Sequence, residues 1–129
     1  MHPAHRRSER ADASVEAVLV VPVLLFLIFV VVQAGLWYHA HQVVEAAAQE
    51  GVQAGRVDGA TAMDAEDRAR AFVSRISPTI AATTTVHAAR TASETSVVVT
   101  GAVQPVIPGM RLNAIGRAGA PTERFRTDR

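Results

Sequence analysis

The chain has 129 residues and a formal net charge of +1, so neither a nucleic acid nor an acidic polymer is suggested as partner. It contains no cysteine, which excludes disulfide staples, thiolate metal sites and a cysteine nucleophile. Ala and Val dominate the apolar set, aromatics make up 5% of residues, and the soluble part therefore has a lean core in one small domain.

The leader, residues 1–11, carries Arg6, Arg7 and Arg10, offset by the acidic Glu9, with Asp12 and Glu16 just beyond. Residues 17–38 then read AVLVVPVLLFLIFVVVQAGLWY, with Gln33 the only polar interruption before the closing Trp37-Tyr38. As a helix this run spans roughly 33 Å, close to the ~30 Å hydrocarbon layer of a bilayer. Three readings compete: a membrane span, a cleaved secretory signal, and a buried core helix. A signal's apolar region is shorter, although Ala46-Ala47-Ala48 offers small residues downstream. A lean domain cannot cover a helix that is apolar all round. Length favours the span, and Trp37 and Tyr38 suit the membrane interface at its end. After the leader the next Arg is Arg56, so the positive-inside rule puts the N-terminus in the cytoplasm and the rest outside. The expected location is the cytoplasmic membrane, single-pass, with a cell-surface pilus as a further destination.

From His39 to about Arg56 no Pro or strong turn signal intervenes, so the helix is expected to continue out of the bilayer as a rod. Val44, Ala47, Ala48 and Val52 recur at helical spacing on one face. Gly51 and Gly55 permit close packing or end the helix, and Asp58-Gly59 breaks it. A second helix is expected over 64–77, capped by Thr61 and stopped by Ser77-Pro78. Its buried stripe is read as Ala69, Phe72, Val73 and Ile76. Two strands follow at 80–89 and 94–103, with Val97, Val99, Gly101 and Val103 on one face. A third strand is placed at 111–118, with its two faces undecided, and the tail from Pro121 is expected to fray. The predicted fold class is α+β: an N-terminal helix over 12–56, then a small extracytoplasmic domain over 57–129 with a short helix and an antiparallel sheet.

The junction Ala11-Asp12-Ala13-Ser14-Val15-Glu16, followed by apolar residues and Pro22, resembles the start of a type IV pilin-like subunit and, more closely, the TadE-like family. The stretch Glu45-Ala46-Ala47-Ala48-Gln49-Glu50-Gly51-Val52-Gln53-Ala54-Gly55-Arg56 is similar to that family's segment after the membrane helix. TadE-like proteins are minor pilins, or pseudopilins, of the tight-adherence (Flp) pilus, with roles in adhesion and secretion. The resemblance implies cleavage between Ala11 and Asp12 by a prepilin peptidase, which makes Glu16 the fifth residue of the mature chain. Ala11 stands where the family has Gly, yet still meets the need for a small side chain. Glu16 is then implied to pair with the N-terminal amine of a neighbouring subunit; its other reading is a carboxylate solvated in the headgroup layer. Pro22 loosens the helix for exit into a filament, or is simply tolerated. The implied partners are the bilayer, other pilin or pseudopilin subunits, the peptidase and the pilus assembly machinery.

No catalytic constellation, cofactor site or small-molecule substrate site is read from the sequence, so the chain is expected not to be an enzyme. His39 and His41 diverge on a helix, His87 stands alone, no Ser sits in G-x-S-x-G, and Asp64, Glu66 and Asp67 fit a helix start better than a calcium loop. The alternative function is a signal-anchored extracytoplasmic binding module unrelated to pili.

Overall fold

A computed structural model describes residues 5–124, with side chains from Ser14 onward. The fold is α+β. One helix, α1, runs from His5–Gly55, followed by α2 at Ala62–Ile76, a single turn α3 at Pro78–Ala81, and strands β1 at Thr85–Arg90, β2 at Glu94–Val103 and β3 at Leu112–Pro121. The strands form one antiparallel sheet in the order β1-β2-β3. Val99 pairs with Val86 on one side and Gly116 on the other, whereas Gly101 and Val103, beyond the end of β1, pair with β3 alone.

The core lies between this sheet, α2 and the part of α1 from Ala40 to its end. The expected rod face is found: Val44, Ala47, Ala48 and Val52 are buried, joined by Ala40 and Val43. The β2 face is also as expected, with Val97, Val99, Gly101 and Val103 all buried. A fully buried Val contributes about 1.5–3 kcal/mol. On β3 the undecided alternation resolves: Ala114 and Gly116 point inward, while Asn113, Ile115 and Arg117 face solvent.

Small side chains set the spacing of these layers. A Cβ on Gly116 would collide with the α1 backbone at Val44 and Glu45, so only glycine lets β3 lie against the helix there. Gly51 and Gly55 do the same for α2: added Cβ atoms would stand 2.9 Å from the Ala65 carbonyl oxygen and 2.7 Å from the Ala65 Cβ. Gly55 is also the last residue of α1, so it serves both purposes expected of it.

The second helix starts as its sequence dictates. Thr61 accepts from the Asp64 N–H, and the Asp64 carboxylate accepts from the Thr61 N–H at 2.7 Å, closing a capping box. The Thr61 hydroxyl also donates to the Asp64 carboxylate at 2.7 Å, and that bond, with the one from the Thr61 N–H, holds the Asp64 carboxyl below its ordinary pKa. The buried stripe, however, is Ala65, Ala69 and Val73, with Phe72 partly covered. Ile76 is 51% exposed, contrary to the expected stripe. The contact with α1 is built on alanines opposite glycines, which shifts the buried face one turn towards the N-terminus.

Two other boundaries differ. Pro78 does not simply stop α2. Ser77 caps a new turn by accepting from the Ile80 N–H, with Pro78 at its first position. That turn takes residues 78–81, so β1 begins at Thr85 and not at residue 80. The chain end from Pro121 is not free either: the Glu123 N–H donates to the Arg56 carbonyl at 2.9 Å, Arg56 and Glu123 pair at 3.2 Å, and Arg124 Nε donates to the Ala92 carbonyl. The rest of that tail, from residue 125, lies outside the described residues.

Side chains from α2 and β1 close the remaining edges. Glu66 accepts the Ala88 N–H of β1 at 3.1 Å and pairs with Arg70. The Ala88 bond, opposed by desolvation and assisted by Arg70, holds the Glu66 carboxyl below its ordinary value. Arg90 donates to the Gly55 and Val57 carbonyls, satisfying acceptors at the C-terminal end of α1.

Candidate assembly and membrane helix

Among the described side chains, the first part of α1 has no cover. From Ser14 to Val32 every side chain is exposed, and this stretch includes Leu24, Leu25, Phe26, Leu27, Ile28 and Phe29. It is the one described helix long and apolar enough to cross a membrane. The apolar run of this helix, residues 17–38, is about 33 Å long, close to the ~30 Å of the bilayer's hydrocarbon layer. An apolar helix this long, left bare by its own domain, requires lipid or other subunits around it.

Glu16 stands at the N-terminal border of the bare stretch. It is exposed and makes no hydrogen bond or ion pair among the described residues. Pro22 lies six residues further on, also exposed, and α1 continues through it. Proline has no N–H, so the Val18 carbonyl lacks its usual helical donor there. The backbone at Ala11 and Asp12 lies within α1, and their side chains, like those of Arg6, Arg7 and Arg10, are outside the described residues.

At the other border the structure adds what the sequence reading missed. Gln33 is 3% exposed. Its Oε1 accepts the Val106 N–H at 2.7 Å and its Nε2 donates to the Gln104 carbonyl at 3.4 Å. The polar interruption in the apolar run is thus the first point at which the domain grips the helix. Trp37, one turn on, donates from Nε1 to the Asn113 carbonyl at 3.3 Å and stacks on His41 with ring centroids 5.5 Å apart. Tyr38 is 61% exposed and turned away from the domain. Gln33, Trp37, Ala40, Val44, Ala47, Gly51 and Gly55 advance by three or four residues each and form one continuous stripe under the sheet and α2. The helix is therefore divided at Gln33 into a bare half and a docked half. The signal that marks this border is a lone Gln in register with the small-residue stripe below it.

The remaining polar groups hold the domain together. His41 lies 3.8 Å from Glu45, Arg68 bonds Glu50 at 2.9 Å across the two helices, and His87 is on the open sheet face. Among the described residues no three His, Asp or Glu are placed to hold a metal ion.

No curated protein and no solved structure matches the chain. Residues 12–53 match the family model described as TadE-like protein, so the similarity falls on the helix that carries both the bare stretch and the domain-facing stripe.

Proposed function

We propose that this chain is a minor-pilin-like membrane protein that acts in assembly of a tight-adherence pilus or a related secretion apparatus. The observation that carries the reading is the bare helix of residues 14–32, in which Glu16 borders the apolar run and which lies within the TadE-like match. The span holds the subunit in the cytoplasmic membrane with its N-terminus inside, and its embedded part ends near Gln33. The same face packs on neighbouring pilin or pseudopilin helices during assembly. The role is structural, without chemistry of its own.

Glu16 supplies register. A carboxylate drawn among apolar helices is costly unless paired. Pairing it with the amine of a neighbour's Asp12, freed by a prepilin peptidase cutting after Ala11, satisfies both charges at one axial offset only. Mass spectrometry of membrane-extracted chain, co-expressed with its own peptidase, tests the processing step. The expected product begins at Asp12. Intact N-termini throughout, while a control prepilin is cut, would overturn it. Function is tested by deleting the gene and counting surface pili. Loss of pili, restored by the full chain, is expected; unchanged piliation would favour the tethered binding module.

A further inference from the structure

We infer that the loop between β2 and β3, Gln104–Arg111, is a second membrane contact, seated at the lipid headgroup level beside the span. The inference rests on the reading of residues 14–32 as membrane-embedded.

The loop and the start of β3 are tied to α1 at points one helical turn apart. Gln33 holds it through the Val106 N–H and the Gln104 carbonyl, and Trp37 holds the start of β3 through the Asn113 carbonyl. Gln33 is also the first covered residue after the bare stretch, so the loop is fixed where the helix first meets its domain, about one turn before the Trp37-Tyr38 pair that suits the membrane interface. This holds whichever way the chain is oriented.

The composition of the loop suits that height and does not suit water. Pro105, Val106, Ile107, Pro108 and Met110 form an apolar run broken only by Gly109. Pro105, Pro108 and Met110 are exposed, Met110 by 39%, and Val106 and Ile107 are half-buried. The shape is preset: the Met110 N–H donates to the Ile107 carbonyl at 3.2 Å, and Gly109 takes the positive φ of 83° that the turn needs. A preformed apolar turn has little order left to gain on entering lipid. Arg111 at its end is followed two residues on by Asn113, whose carbonyl accepts from Trp37, and Arg, Trp and Tyr are residues of the type that anchors to headgroups. Two contacts on one side of the helix would fix the domain's tilt over the membrane, which a single span leaves free.

The chain's lack of cysteine allows single-cysteine labelling with an environment-sensitive fluorophore. Met110→Cys reports the loop, Leu27→Cys the span and Asp58→Cys the far end of the domain. The full chain is reconstituted in phosphatidylethanolamine–phosphatidylglycerol vesicles that contain lipids with shallow or deep nitroxide quenchers. Trp37 emission verifies that each variant is folded. The Met110 label is expected to emit blue-shifted light and to be quenched by the shallow nitroxide more than by the deep one. The Leu27 label is expected to show the reverse order, and the Asp58 label neither effect. A Met110 label that behaves like the Asp58 label, with Leu27 still quenched, overturns the loop contact and leaves the span. A blue-shifted but unquenched Met110 label assigns the loop to a neighbouring subunit and overturns the lipid contact. Loss of quenching at Leu27 overturns the span itself, and the loop contact with it.

Discussion

Gly116→Ala tests how the domain is mounted on its helix. The new methyl would collide with α1 backbone atoms at Val44 and Glu45, and backbone cannot rotate aside as a side chain can. Overpacking a close-packed interior costs about 1–3 kcal/mol, and a backbone collision belongs at the upper end, about 3 kcal/mol. Replacing glycine in a strand returns roughly 0.5–1 kcal/mol. The net expectation is a loss of about 2 kcal/mol, a large fraction of the 5–15 kcal/mol typical of a whole domain. Trp37 is the chain's single tryptophan, and it donates to β3, so its fluorescence reports docking of the sheet on α1. Urea unfolding of the full chain in detergent, with a slope near 1 kcal/mol/M, should show the midpoint falling by about 2 M. Gly35→Ala is the control, because a Cβ there meets nothing within 4 Å and the midpoint should hold or rise. Equal midpoints for Gly116→Ala and the unsubstituted chain would refute the close backbone approach.

Three further substitutions probe separate parts of the account. Gln33→Leu leaves the Val106 N–H without its acceptor, at a cost of about 1–3 kcal/mol, and amide exchange at Val106 should accelerate at least about fivefold while exchange in β2 changes little. Thr61→Ala removes the α2 cap and should cost about 1 kcal/mol in the same urea assay; an unchanged midpoint would show that the capping box is not needed. Glu66 is ionised with its pKa held below the ordinary 4.5, so its contribution is complete above that pH and is lost as pH falls through the lowered value. Unfolding midpoints should therefore drop as the medium is acidified below pH 4.5, and Glu66→Gln should flatten part of that slope.

The parts of this fold that were legible are those specified by local pattern. The ends of β2, the Thr61 cap and the rod face all follow from alternation, capping chemistry or helical spacing within a few residues. The parts that were missed depend on partners far along the chain. Gln33 reads as a blemish in an apolar run because its acceptor and donor groups lie more than 70 residues away, in the β2–β3 loop. Ile76 looks like a core residue by size, yet the α1–α2 contact is built on Ala65 and Ala69 against Gly51 and Gly55, and periodicity arguments give such small residues too little weight. The new turn at Pro78 was hidden for a related reason: Ser77-Pro78 is as good a helix start as a helix stop. Glu123 and Arg124 look like a solvated tail until the Arg56 and Ala92 carbonyls are brought beside them by the fold. At the candidate site, Glu16, Pro22 and the apolar run were visible from the start; the division of the helix at Gln33 was not.

The central claim is that the bare helix, with Glu16 at its border, is an assembly surface and more than an anchor. It is tested most directly by replacing the chromosomal gene with the Glu16→Ala form and counting surface pili, with membrane insertion verified by carbonate extraction. The account predicts full insertion with pili lost, because an exposed carboxylate without a partner among the described residues adds nothing to the fold of the isolated subunit. Normal piliation by inserted Glu16→Ala protein would contradict it.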